Sequence, residues 1–152
     1  MELAPVGEGN SPPCKQTMQT TVAFRGARTD IARARHLAAC FLSRGSEEQG
    51  RAVSQRTVDV TQVVVSELVT NAYKYAPGPL VMDLRIIGAS VVVVVWDSNP
   101  ALPVVQSKDP GRVGQHGMEM VIAAAQHVGF QLELVGKSVT VGIALLDPAD
   151  HT

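Results

Sequence analysis

Residues Thr57–Pro79, TVDVTQVVVSELVTNAYKYAPGP, decide how the chain is read. The length of this stretch and its Ala, Leu, Glu and Gln content favour a helix in spite of the β-branched valines, and Pro77-Gly78-Pro79 ends it. At about 100° per residue, Glu67 and Asn71 stand one turn apart and Lys74 falls within about 20° of Glu67, so the three share a face. Val60, Val63 and Val64 are assigned to the same face, with Gln62, Ser66 and Thr70 on the other side. A carboxylate and an amide therefore sit at the edge of the apolar stripe, where a charge is costly unless it is paired or solvated in a cavity. That makes Glu67 with Asn71 a candidate site. An ordinary i,i+4 polar pair, or Glu67 solvated beside Lys74, is the equally open alternative.

Downstream, Leu80, Met82, Leu84 and Ile86 alternate with Val81, Asp83, Arg85 and Ile87, and Gly88-Ala89-Ser90 turns the chain into the buried-looking strand Val91–Trp96. A hairpin thus follows the central helix. The stretch Asp97–Gln115 holds three prolines and two glycines without periodicity, and loops of that length are usually functional or mobile. Met118, Val121, Ile122 and Ala125 mark a helix that Gly129 is expected to end. Phe130–Val135, a Gly136-Lys137 turn and Ser138–Leu146 then form a closing hairpin. Met120 is placed on the helix surface.

Upstream, Thr20–Phe24 reads as a first strand, and Ala34, Leu37, Ala38 and Phe41 as an amphipathic helix capped at Thr29 or Asp30 and ending near Gly45. Ser46–Arg56 is polar and reads as a loop. The order β-α-α-β-β-loop-α-β-β gathers strands into hairpins and excludes an alternating parallel unit. It implies an α/β (α+β) two-layer sandwich, with one mostly antiparallel sheet covered on one face by three helices. The expected divisions are a flexible tail over 1–17, a single domain over 18–147 and a frayed tail over 148–152.

The 152 residues include 13 Lys plus Arg against 14 Asp plus Glu, so no basic surplus is present to neutralise a phosphate backbone, and direct nucleic-acid binding is not expected. Two cysteines, Cys14 and Cys40, form neither a disulfide framework nor a thiolate cluster, which fits a reducing cytoplasm. The N-terminal residues lack the basic start and apolar run of a secretory signal, and no apolar run approaches the roughly 20 residues of a membrane span. His36, His116, His127 and His151 show no ligand spacing for a transition metal, and Ser66 lacks a nucleophile elbow.

Two further features could carry chemistry. Asp97 stands where a strand of five valines and Trp96 leaves the sheet, although Asp-Ser-Asn-Pro is also a good turn sequence. Gly111-Arg112-Val113-Gly114-Gln115-His116-Gly117 opens into a helix and offers backbone N–H groups and a positive dipole end to an anion such as phosphate. A flexible glycine loop is the alternative of equal weight. The segment is neither a Walker A loop nor a dinucleotide turn. Lys108, Arg112 and His116 could neutralise phosphate charge, with solvated loop charges as the default.

Taken in order, Ser66-Glu67-Leu68-Val69-Thr70-Asn71-Ala72, Trp96-Asp97, Gly111–Gly117 and the final Gly136-Lys137-Ser138 hairpin resemble the GHKL (Bergerat-type) ATP-binding family, in particular its anti-sigma-factor serine-protein kinase branch. The resemblance covers about Thr20–Leu146. It implies ATP and Mg2+ as cofactors, with Asn71 as the metal ligand and Glu67 orienting or deprotonating the attacking hydroxyl. Asp97 would accept the adenine amino group, with Ser138 supporting it through water. Lys74, Asn99, Arg112, Gly114, His116, Gly117 and Met118 would line the remainder of the ATP site, Gly111 also belonging to its lid. The family's partners imply a sigma factor and/or an anti-anti-sigma antagonist, and homodimerisation. Phosphoryl transfer asks for positioning, a divalent ion and a base more than for covalent catalysis, so these residues are chemically coherent. The chain departs from the pattern at Asn99, where glycine is common, and at His116, which replaces an arginine with a weaker, pH-dependent cation. The implied function is Ser/Thr phosphorylation of an antagonist and/or sigma-factor sequestration; the alternative is a catalytically silent ATP-binding partner-switching module.

Overall fold

A computed structural model describes residues 18–50, 52–75, 78–99 and 115–145. The expected tails over 1–17 and 148–152, Cys14, and the loop residues 100–114, with Lys108, Gly111, Arg112 and Gly114, lie outside the described residues. The elements run β1 (Met18–Phe24), α1 (Asp30–Gln49), α2 (Gln55–Tyr75), β2 (Leu80–Ile87), β3 (Ser90–Asp97), α3 (Gln115–Ala124), β4 (His127–Leu132) and β5 (Lys137–Ala144). The strands form one sheet in the order β1-β2-β3-β5-β4, and every pairing between neighbours is antiparallel. The architecture is the expected α+β sandwich, with three helices against one face of the sheet.

Alternation along the strands sets that face. Leu80, Met82, Leu84 and Ile86 of β2 pair across with Asp97, Val95, Val93 and Val91 of β3, and these β3 residues pair in turn with Lys137, Val139, Val141 and Ile143 of β5. All twelve are buried. The helices supply Ala34, Ala38, Phe41 and Leu42 from α1, Val64, Val65, Leu68, Val69 and Ala72 from α2, and Val121 from α3. Helix α1 lies against β1 and β2, α2 against β3 and β5, and α3 beside α2.

Helix α1 runs past the expected stop. Gly45 is not a terminator: it is buried inside the helix, and a Cβ there would come within 2.5 Å of Ile86 Cδ1, so the missing side chain lets α1 lie close on β2. The helix ends instead at Gly50, whose φ of 62° is left-handed and suits a glycine C-cap. The loop expected over Ser46–Arg56 shrinks accordingly. Helix α2 starts at Gln55 because the Ser54 hydroxyl accepts from Thr57 N at 3.1 Å, an N-cap contact. Thr57 Oγ1 also lies 2.9 Å from Ala144 O and 2.7 Å from Leu145 O, which pins the start of α2 to the end of β5. Gly129 does not end α3. The helix stops at Ala124, and Gly129 pairs with Thr140 inside β4. The chain turns between them at Gln126, whose N–H donates to Gly142 O at 2.7 Å.

On the face away from the helices, Asp83 accepts from Gln19 Nε2 at 2.8 Å, Thr21 Oγ1 at 2.5 Å and Arg85 Nε at 2.6 Å, which ties β1 to β2. Burial alone would raise its pKa, but the Thr21, Gln19 and Arg85 donors outweigh that and hold it below the ordinary carboxylate value. A depressed carboxylate stabilises the fold above its unfolded pKa, and that contribution is lost as pH falls through the folded one. Asp83→Asn should therefore flatten the acid limb of a stability-versus-pH curve. Leu84→Ala, at a position with no exposure on the opposite face of the same strand, should cost about 2–5 kcal/mol in urea denaturation at every pH.

Candidate functional site

Leu80, Asp97 and Lys137 lie side by side in one row across β2, β3 and β5, at the edge where β3 leaves the sheet. Asp97 has the parity of Val91, Val93 and Val95 and so faces the helices, and it is 3% exposed. Lys137, 5% exposed, directs its ammonium onto both carboxylate oxygens, at 3.0 Å from Oδ1 and 2.9 Å from Oδ2. The same Nζ donates to the Asn99 carbonyl at 3.2 Å, and Asn99 N donates to Asp97 Oδ1 at 2.8 Å. Gly136 makes this closeness possible. Its φ is +78°, and a Cβ there would stand 1.9 Å from the Asp97 carbonyl oxygen. Trp96 Nε1 donates to Val135 O at 2.8 Å, a second tie between the β4–β5 hairpin and the end of β3.

The last turns of α2 come to the same end of the sheet by connectivity. Leu80 follows Tyr75 by five positions, which limits their separation to about 18 Å even if fully extended. Since Leu80 pairs with Asp97 and Thr57 holds the start of α2 at the opposite end of β5, the turn of α2 carrying Asn71 and Lys74 lies toward the Asp97 end of the sheet. Around α2 the buried positions are Thr57, Thr61, Val64, Val65, Leu68, Val69 and Ala72. Glu67 and Asn71 are half-buried and flank this stripe, as expected, whereas Val63, assigned to their face as an apolar neighbour, is 39% exposed. Gln62, about 140° round the helix from Glu67, donates to the Arg35 carbonyl of α1 at 3.1 Å. Glu67 thus lies on the flank of α2 away from α1. Burial raises the Glu67 pKa above the usual carboxylate value, and the nearby Lys74 charge partly offsets the rise.

Among the predicted site residues, Asp97 and Asn99 are brought into direct contact, and Asn71 and Lys74 to the same end of the sheet. Ser138 is not. It pairs with Trp96 on the face away from the helices, and its hydroxyl donates to Glu133 Oε2 at 2.8 Å, while Lys137 is the β5 side chain that meets Asp97. One position of register decides this, since neighbouring strand residues point to opposite faces. Of the glycine segment, Gln115, His116 and Gly117 are described and begin α3, with Met118 in the same first turn; the side chains of these residues lie outside the described ones. In sequence Lys137 is half of a turn. Its lysine-before-serine position signals nothing locally, and only the β3–β5 register brings it to Asp97.

At this end of the sheet stand a buried acceptor, Asp97, and the helix α2, whose edge carries an amide oxygen and a carboxylate of raised proton affinity. Such a carboxylate lowers stability as pH rises, because the folded protein holds a proton that the unfolded chain gives up. Glu67→Gln should therefore raise the melting temperature at pH 7, with the gain shrinking as pH falls through the ordinary carboxylate range. Equal melting curves for the two proteins at pH 7 would show that burial imposes no penalty on Glu67.

No family model and no curated protein matches the sequence. Solved structures do. The RsbU and RsbW domains of Rv1364c from Mycobacterium tuberculosis superpose with a TM-score of 0.63 at 14% identity, over 84% of this chain and 32% of that one. This chain thus spans about a third of the length of that structure. The histidine kinase domain of the Erythrobacter litoralis EL346 blue-light activated histidine kinase gives 0.46 at 19% identity, over 74% and 61% of the two chains. The Acinetobacter baumannii histidine kinase AdeS gives 0.48 at 10% identity, over 95% and 74%. The first of these, with the sheet order and the helix layer described above, shows a shared fold: the chain has a GHKL-like α+β fold.

Proposed function

We propose that this chain is an ATP-binding regulatory protein that transfers the γ-phosphate of ATP to a Ser or Thr of an antagonist protein and/or sequesters a sigma factor. The observation that carries the reading is the placement, on this fold, of a buried strand-end carboxylate, Asp97, at the same end of the sheet as the last turns of α2. Asp97 has the chemistry to accept a purine's exocyclic amine. Asn71 offers an amide oxygen at a half-buried helix edge, which suits a hard divalent ion that keeps most of its water and phosphate ligands. When bound, Mg2+ would neutralise charge on the phosphates. Lys74, Asn99, Arg112, Gly114, His116, Gly117 and Met118 belong to the same proposed site, Arg112 and His116 as cations.

Glu67 is assigned the proton. A carboxylate whose burial lifts its proton affinity is better matched to taking a hydroxyl proton than an ordinary surface glutamate. The resemblance to the anti-sigma-factor kinase branch makes an antagonist protein and a sigma factor the partner classes of this reading, with homodimerisation part of it, and the fold shared with a structure containing an RsbW domain is in keeping with it. A cytoplasmic site of action belongs to it too. No helix among the described residues is long and apolar enough to cross a membrane.

A catalytically silent ATP-binding switching module is the second reading; the Lys137–Asp97 ion pair bears on nucleotide binding, which both readings share, and Glu67 is what separates them. Thermal denaturation with Mg-ATP tests the nucleotide site, since ligand at 100 times its Kd adds about 2.7 kcal/mol. Wild type should shift at millimolar Mg-ATP and Asn71→Ala should not. Glu67→Gln should keep the shift under both readings, and it should abolish phosphorylation of the antagonist under the first. Partner regulation that survives Glu67→Gln intact would favour the silent module.

A further inference from the structure

The Lys137 ammonium has three protons, and each has an acceptor: Asp97 Oδ1 at 3.0 Å, Asp97 Oδ2 at 2.9 Å and the Asn99 carbonyl at 3.2 Å. The carboxylate is nearly as fully used, because Oδ1 also takes the Asn99 N–H at 2.8 Å. Both side chains face the helix layer and are almost completely buried. The ammonium is held there by more than its own charge. Gly136 lets the hairpin lie on the Asp97 carbonyl, and the Trp96–Val135 bond fastens it.

An ammonium and an exocyclic amine are both N–H donors, and here they compete for the same two oxygens. The ammonium has the advantage of full charge and of being tethered one strand away. We propose that Lys137 is an internal occupant of the base-binding position, holding the Asp97 carboxylate in place of a purine's exocyclic amine, so that nucleotide binds well only when this ion pair opens. The inference rests on the reading of Asp97 as the purine acceptor. It assigns Lys137 a regulatory role at that site: apparent affinity is the intrinsic affinity reduced by the fraction of molecules with the pair open. A partner that draws the β4–β5 hairpin away from the end of β3 would raise that fraction.

Calorimetric titration of the full chain with Mg-ATP tests this on wild type, Lys137→Met and Lys137→Gln, with circular dichroism as the check of folding. Lys137→Met should bind Mg-ATP at least tenfold more tightly than wild type. Removing a cation can only weaken attraction to a polyanion, so charge alone cannot produce a gain. Lys137→Gln keeps a neutral donor beside Asp97, and it should also bind more tightly should Lys137→Met fail to fold. Inosine triphosphate, which carries an oxo group where ATP carries the amine, should show no gain. Equal or weaker Mg-ATP binding by the folded variants, still abolished by Asn71→Ala, would overturn the role of Lys137 and leave the nucleotide site standing. No binding to any of the three proteins at millimolar Mg-ATP would overturn the nucleotide reading and this inference with it.

Discussion

The register of β3 between β2 and β5 is the constraint on which the molecule depends. Because strand side chains alternate with a period of two, one choice of pairing sends Val91, Val93, Val95 and Asp97 to the helix side together. The first three build the core, and the fourth carries a carboxylate along the same line to the edge of the sheet. A slip of one position would turn Val92, Val94 and Trp96 inward and point Asp97 outward. Both parities of β3 are apolar, so the valines alone do not exclude the slip; the Asp97–Lys137 pair and the close approach of Gly136 to the Asp97 carbonyl belong to the observed register.

That register leaves a charge to be dealt with. An isolated carboxylate at this burial would be strongly unfavourable, and the same register that buries Asp97 supplies Lys137 directly across the strand. A buried ion pair is weak evidence for stability, since its desolvation can offset its attraction, but removing one partner typically costs about 3–5 kcal/mol. The pair therefore acts mainly as a constraint on geometry. It holds the hairpin, the strand end and the Asn99 turn in one arrangement. Glu67 on α2 is a milder instance: a half-buried carboxylate kept at some cost, with Lys74 as partial compensation.

Much of the fold was legible because period and punctuation are local. The hairpin of Leu80–Ile87 and Ser90–Asp97 follows from alternation and Gly88-Ala89, and the central helix from its length and the proline stop. The errors share one physical origin. Gly45 and Gly129 read as helix terminators, yet one is a close contact with Ile86 and the other a strand residue opposite Thr140, and neither role exists until another element is in place. In the candidate site, Glu67, Asn71 and Asp97 were legible from a polar pair beside an apolar stripe and from an acid at a strand end. The contact of Lys137 with Asp97 was not, because which of two consecutive residues, Lys137 or Ser138, faces the helices is a property of the pairing.

By itself the sequence determined the element order, the antiparallel sandwich with three helices, the apolar stripes and the types of polar group available at their edges, since each follows from neighbours within a few residues. Tertiary structure alone decided which groups meet. The β3–β5 register joined Asp97 to Lys137 across 40 positions of sequence, and the short link from Tyr75 to Leu80 brought the Asn71 turn to the same end of the sheet. These are long-range pairings, and they are set by burying the whole apolar face at once rather than by any local preference.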